Sequence, residues 1–264
     1  MDNKNRDIIK SRILWTIAMS LISVLFIMSV SRKLNNHVSN LVVKIKPIKG
    51  DKDLMYGKEV EKMVTNYLGY DVTNSSVKEL DTKDLEDILQ ADKRVKKVEV
   101  FLDSKDRLNI WIVQKQPVVR IMDSKSVSYY LDEDGKRVPT ARYAAIRVPV
   151  ATGEFELFDS TFYNLQKPSK LREVYNVCKY IASDEFLSAL IEQVVVDENK
   201  DLVLIPKMGK QKILIGDDQL LDEKFGNLKI MYKEGLPREG WKKYSVLNIK
   251  YKGVLYGTVR QENL

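Results

Sequence analysis

The sequence predicts an α+β protein with three parts: a single N-terminal transmembrane helix, a small unit in the order β-α-α-β-β, and a mixed, strand-rich C-terminal domain ending in an open edge strand. Three observations predict it. Ile13 to Val30 is an uncharged run of 18 residues. Beyond it, the apolar period switches repeatedly between about 3.6 and 2 residues. Two alternating segments close the chain, and four residues follow the second. The composition fits: of 264 residues, 44% are apolar and 31% charged, and 44 Lys and Arg against 37 Asp and Glu give a net charge of +7. Those values exclude a collagen-like or largely disordered chain. One cysteine (Cys178) and one histidine (His37) exclude an intramolecular disulfide framework and the usual Cys/His zinc sites.

Residues 1–12 read as a cytoplasmic tail, 13–30 as the transmembrane helix and 31–40 as a linker. At about 1.5 Å per residue the run reaches about 27 Å, close to the hydrocarbon thickness of about 30 Å. Arg12 and Arg32 bound it. Ser29-Val30-Ser31 resembles a signal cleavage site, but signal peptides carry apolar regions of about 7–15 residues, so a retained anchor is expected. Lys4, Arg6, Lys10 and Arg12 before the run, against Arg32, Lys33 and Lys44 after it, place the N-terminus inside and the bulk of the chain outside the cytoplasm. Lys44, Lys46, Lys49 and Lys52 read as solvated. No basic stripe is interleaved with aromatics, so nucleic acid is not an expected partner.

Residues 41–116 make the small unit. Leu41 to Ile45 alternates and is β-branched, which predicts a strand. Val60, Met63, Val64, Tyr67 and Leu68 recur at helical spacing over Lys58–Leu68, with Gly69 as the stop. Asp81 or Thr82 caps a second helix with Leu85, Ile88 and Leu89 inward. Its carboxylates Asp84, Glu86 and Asp87 read as solvated. Val98, Val100 and Leu102, then Leu108, Ile110 and Ile112, line the strands of a hairpin turning at Asp103–Asp106.

That order resembles a POTRA (polypeptide-transport-associated) module. The stretch Leu80–Ile121, with Gln114, Gln116, Pro117, Val118 and Arg120 at its exit, resembles the end of the POTRA domain in the bacterial cell-division family FtsQ, also called DivIB. The resemblance implies that the strand runs through a Pro-Val turn into a second domain.

Residues 117–260 make that C-terminal domain, and 261–264 a tail. Ser128–Leu131 and Lys136–Val138 flank Asp134-Gly135, a hairpin signal. A calcium loop is excluded because the ligand spacing is wrong. Ser169 caps a helix over 170–181 with Leu171, Val174, Tyr175, Cys178 and Ile181 inward, so Cys178 reads as a buried apolar residue. Phe186, Leu187, Leu190 and Ile191 continue on a second helical segment. Strands follow at 192–197, 202–205 and 212–215. A helix is expected over Gln219–Tyr232, closed by Gly235-Leu236-Pro237. Gly216 lacks the spacing of a phosphate loop. Ile213–Asp217 followed by Lys224, Phe225 and Leu228 again resembles the FtsQ family.

Tyr244–Tyr251 alternates, with Val246, Asn248 and Lys250 on one face and Leu247, Ile249 and Tyr251 on the other. Lys252-Gly253 reads as a two-residue turn and Val254–Arg260 as the final strand. An open edge exposes unpaired N–H and C=O groups. Either it receives a partner strand, helped by Gly257 allowing close backbone approach, or it is short and guarded by Lys252 and Arg260.

The resemblance implies the first. In FtsQ the corresponding strands bind FtsB, which joins FtsL to the complex. The matching positions here are Lys250, Tyr251, Gly253, Val254, Leu255, Tyr256, Gly257, Thr258 and Val259. No catalytic, cofactor or metal residues are expected. The implied function is non-enzymatic scaffolding of division proteins at the septum, from an inner-membrane anchor. Leu41–Ile45 or Leu108–Val113 would offer a second edge. The alternatives are an envelope enzyme acting on cell-wall polymer, for which no G-x-S-x-G or H-E-x-x-H motif stands in the sequence, and a POTRA-bearing secretion component, which usually carries several such units.

Overall fold

A computed structural model describes residues 3–34, 36–49, 52–122, 127–140, 145–163 and 168–261, with side chains from 12 to 28 in the first helix. Met1, Asp2, Gly50 and the part of the expected tail from residue 262 lie outside the described residues, as do the side chains of Lys4, Arg6, Lys10, Arg32 and Lys33. The chain divides into two compact units, Met1–Lys46 with Tyr56–Val113, and Pro47–Met55 with Gln114–Leu264.

The first unit begins with helix α1, Asn3–Leu34. Here the expectation of a single transmembrane helix over 13–30 is corrected: among the described residues, no helix is long and apolar enough to cross a membrane. The helix does not start and stop at the flanking charges but runs through Arg12 and on to Leu34, across the first four residues of the expected linker. The inner-membrane anchor and its orientation lose their support with it.

The rest of the first unit is strand β1 (Asn40–Lys46), helix α2 (Gly57–Leu68), a 3-10 turn at Val72–Asn74, helix α3 (Thr82–Gln90), and strands β2 (Val95–Leu102) and β3 (Arg107–Gln114). The sheet order is β1-β3-β2, and β1 runs parallel to β3 with Leu41 opposite Leu108 and Ile45 opposite Ile112. Because β3 is the centre, Leu108, Ile110 and Ile112 are all buried, together with Val60 and Val64 of α2 and Leu85 and Leu89 of α3. Leu108–Val113 is therefore not an edge, and that half of the expected second docking edge is withdrawn. Two side chains differ from expectation. Tyr67 turns outward, 47% exposed, with its hydroxyl 3.4 Å from Asp84. Glu86 is not merely solvated: it accepts the Val100 N–H at 2.7 Å, and Gln90, one turn on, donates to the Lys96 carbonyl at 3.3 Å. Residues 96 and 100 share parity on β2, so α3 takes two of the outward backbone groups of that edge strand.

In the second unit, Pro47–Met55 is held by Gln114. Its Oε1 accepts from the Leu54 and Met55 N–H groups at 2.7 and 3.1 Å, and its Nε2 donates to Asp53 at 2.8 Å. Ile48 and Leu54 are buried with Tyr130, Val138 and Ile146. This explains why the division falls at 113/114 with a returning segment, where the sequence suggested one boundary at 116/117.

The second unit carries strands β4 (Pro117–Met122), β5 (Ser128–Asp132), β6 (Arg137–Pro139), β7 (Val150–Gly153), β8 (Ile191–Val196), β9 (Leu202–Pro206), β10 (Lys212–Gly216), β11 (Tyr244–Asn248) and β12 (Tyr256–Val259). Among the described residues they form one nine-stranded sheet in the order β12-β11-β10-β9-β8-β7-β4-β5-β6. The β4–β7, β7–β8 and β10–β11 pairs are parallel, and the rest whose registers are known are antiparallel. Helix α4 (Lys170–Ser183) is capped by the Ser169 hydroxyl, which accepts the Arg172 N–H. Leu171, Val174, Tyr175, Cys178 and Ile181 on α4, Leu187 on helix α5 (Glu185–Leu190), and Phe225 and Leu228 on helix α6 (Leu221–Ile230) join one core with the inward residues of the sheet.

Two elements end differently from their sequence pattern. The helix expected to close at Gly235-Leu236-Pro237 continues from α6 through a π turn, Met231–Gly235, into helix α7, Leu236–Glu239. Pro237 stands directly after the π turn, at the second residue of α7, and the chain turns at Gly240 instead. The strand expected over Tyr244–Tyr251 stops at Asn248, and β12 starts at Tyr256 instead of Val254, so residues 249–255 replace the two-residue turn. The cause is local: Asn248 Oδ1 accepts the Lys250 N–H at 3.0 Å, and the Ile249 N–H donates to the Leu214 carbonyl at 2.9 Å. The backbone leaves the ladder with β12 there.

Candidate functional site

Strand β12 stands at one end of the nine-stranded sheet and pairs only with β11 among the described residues. The antiparallel register sets Asn248 opposite Tyr256, Leu247 opposite Gly257, Val246 opposite Thr258 and Tyr244 opposite Val259. The Arg260 N–H donates to the Lys243 carbonyl at 2.8 Å. Hydrogen-bonding direction alternates along an antiparallel strand, so Thr258 and Tyr256 also point their backbone groups at β11. Gly257 and Val259 point theirs out of the sheet. The irregularity in this pair falls between Tyr244 and Val246 on β11, which leaves the alternation on β12 intact. Ser245 Oγ fills the gap by donating to the Thr258 carbonyl at 3.2 Å. No side chain among the described residues takes the outward groups of Gly257 or Val259.

All four residues of β12 are exposed. Tyr256 and Val259 are 56% and 58% exposed. The Tyr251 and Tyr256 rings meet edge to face at 6.4 Å, which gathers two exposed aromatics at the start of the strand. Val254 is exposed beside them, whereas Leu255 packs against the core. Gly253 adopts φ +76 at the turn. Thus Tyr251, Gly253, Val254, Tyr256, Gly257, Thr258 and Val259 come together on or beside the edge, and Leu255 faces inward beneath it.

Lys250 goes elsewhere. Its ammonium sits 2.9 and 2.8 Å from the two Asp201 oxygens, and that hydrogen bond raises its pKa. Its stem lies over Gly216: a Cβ at that glycine, which holds φ +81, would come 2.6 Å from Lys250 Cγ. Lys250 thereby ties the 249–255 connection to the turn before β9. Asp201 is 49 residues away, and no local pattern signals the pair.

Gly257 has a structural reason beyond close approach of a second backbone. A Cβ there would stand 2.5 Å from the Tyr244 ring, which covers the glycine from the adjacent strand. Tyr244 was readable only as a strand residue. The signal for its role is the glycine facing an aromatic across a hairpin, and that depends on a register the sequence alone did not supply.

Elsewhere the chemistry is sparse. Cys178 is fully buried, and burial pushes its thiol pKa up, away from the reactive thiolate. Among the described residues, no group of three His, Cys, Asp or Glu side chains is arranged to hold a metal. The model of a protein family described as FtsQ/DivIB, C-terminal related, matches residues 116–258, from the start of β4 nearly to the end of β12. No curated protein matches the chain.

Proposed function

The chain belongs to the family FtsQ/DivIB, C-terminal related, matched over more than half its length, and on that premise we propose that it scaffolds division proteins by receiving a strand from an FtsB/FtsL-type partner on the β12 edge. The family is one of non-enzymatic cell-division proteins, so the coarse role is septum-associated cell division. The finer reading is supported by one observation above the rest: the Gly257 and Val259 backbone groups point outward, and nothing among the described residues takes them. Strand addition supplies partners for such groups through main-chain hydrogen bonds. Tyr251 and Tyr256 supply side-chain anchorage at one end. Strand β1, the open side of the three-stranded sheet, is available for a second partner.

The test is a calorimetric titration of the full chain with a purified FtsB-type partner, comparing wild type with Val259→Pro. Proline at 259 removes an outward donor and leaves the bonds to β11 in place. We expect binding to weaken by at least about tenfold. Unchanged affinity, with circular dichroism matching wild type, would overturn the strand-addition reading.

A further inference from the structure

A cavity of about 530 Å³ lies at the far end of the β12 edge, lined by Lys210, Lys242, Lys243, Val259 and Arg260. No carboxylate lines it. Lys243 is paired with Glu239. Lys210 and Lys242 are exposed and make no ion pair among the described residues. Arg260 folds back so that Nη2 donates to the Lys210 carbonyl at 3.0 Å and lies 3.5 Å from the Tyr244 carbonyl. Those carbonyls orient the guanidinium but do not neutralise it. Its Nε is buried with no acceptor, a donor left without the partner that buried donors ordinarily have. Three positive charges are therefore uncompensated around one concavity.

The cavity is continuous with the edge. Val259 lines it, and the Val259 backbone points out of the sheet toward an incoming strand. We propose that the strand added to β12 carries carboxylate side chains where it runs past Val259, and that these seat among Lys210, Lys242 and Arg260. This inference rests on the strand-addition reading. A carboxylate suits the site because it accepts hydrogen bonds from a guanidinium and is attracted by the two unpaired ammonium groups. Such complementarity sets the register of the added strand and speeds its capture.

The experiment titrates the same FtsB-type partner against the wild-type chain, Val259→Pro, and the double variant Lys210→Glu/Lys242→Glu, at low and high salt. Both lysines are exposed, so the double variant is expected to fold normally. The inference expects the double variant to weaken binding about tenfold at low salt and to flatten the salt dependence. If Val259→Pro abolishes binding while the double variant binds as wild type at both salts, the carboxylate inference is overturned and strand addition stands. If Val259→Pro binds normally, the strand-addition reading falls and this inference with it. A partner whose acidic side chains are replaced by amides must reproduce the loss; if it binds the wild-type chain undiminished, the cavity takes some other anion, such as phosphate, and the inference is overturned.

Discussion

Strands β2 and β12 are both sheet edges, and they are finished in opposite ways. On β2, helix α3 places Glu86 and Gln90 one turn apart, so that a carboxylate takes the outward Val100 N–H and an amide reaches the outward Lys96 carbonyl. On β12 the outward groups of Gly257 and Val259 meet no side chain among the described residues, and the strand is exposed along its length. The same backbone liability is partly covered in one sheet by two side chains at helical spacing and left open in the other. An edge that is cheap to cover and is nonetheless bare is a candidate for use. The proposed strand addition therefore falls on β12 and not on the cluster of carboxylates on α3.

The comparison can be broken most sharply by proline. Val259→Pro is expected to cost at least about tenfold in partner affinity while leaving the urea midpoint near wild type, whereas Thr258→Pro removes a donor aimed at β11 and lowers the midpoint. Equal midpoints for the two would show that the alternation on β12 is misassigned. Opening the covered edge is the converse experiment. Glu86→Leu with Gln90→Leu strands the Val100 N–H and should cost about 1–3 kcal/mol in urea unfolding, with concentration-dependent association seen by light scattering. A monomer of wild-type stability would mean the two side chains do not guard β2.

A smaller effect is expected at Gly257. Gly257→Val forces the Tyr244 ring aside and should cost about 1–3 kcal/mol, a loss that Tyr244→Ala in the same chain partly restores. Additive losses would remove the ring from the explanation. The smallest concerns Lys250. Lys250→Met breaks an ion pair whose side chains are 35% and 21% exposed, so the loss should be small. Because the folded-state pKa of Lys250 is raised by Asp201, its contribution is complete below the unfolded value of about 10.4 and fades as pH rises through the higher folded value. The gap between Lys250→Met and wild type should therefore narrow in alkaline melts.

Much of the local structure was legible because it depends on neighbours in sequence. Ser169 with the inward stripe from Leu171 to Ile181 specifies α4, and Asp81 with Leu85 and Leu89 specifies α3. The misreadings came from distance or from continuity. Counting uncharged residues treats Arg12 and Arg32 as the limits of a segment, but α1 runs through both positions, and among the described residues no helix is long and apolar enough to cross a membrane. Pro237 reads as a stop because proline breaks helix interiors, yet here it follows a π turn in a helix that runs on to Glu239. At the candidate site, Tyr251, Tyr256 and the glycines could be read from the strand pattern. The pairing of Lys250 with Asp201, the ring of Tyr244 over Gly257 and the basic cavity beside Val259 could not, because each joins residues from separate elements.

The most direct measurement is amide hydrogen exchange read residue by residue on β12, with and without the FtsB-type partner. In the free chain, the Thr258 and Arg260 amides should be protected by β11, and the Gly257 and Val259 amides should exchange fast. Strand addition predicts that the partner slows Gly257 and Val259 and leaves Thr258 and Arg260 nearly unchanged. A partner that binds while Gly257 and Val259 continue to exchange at their free rates would contradict the account.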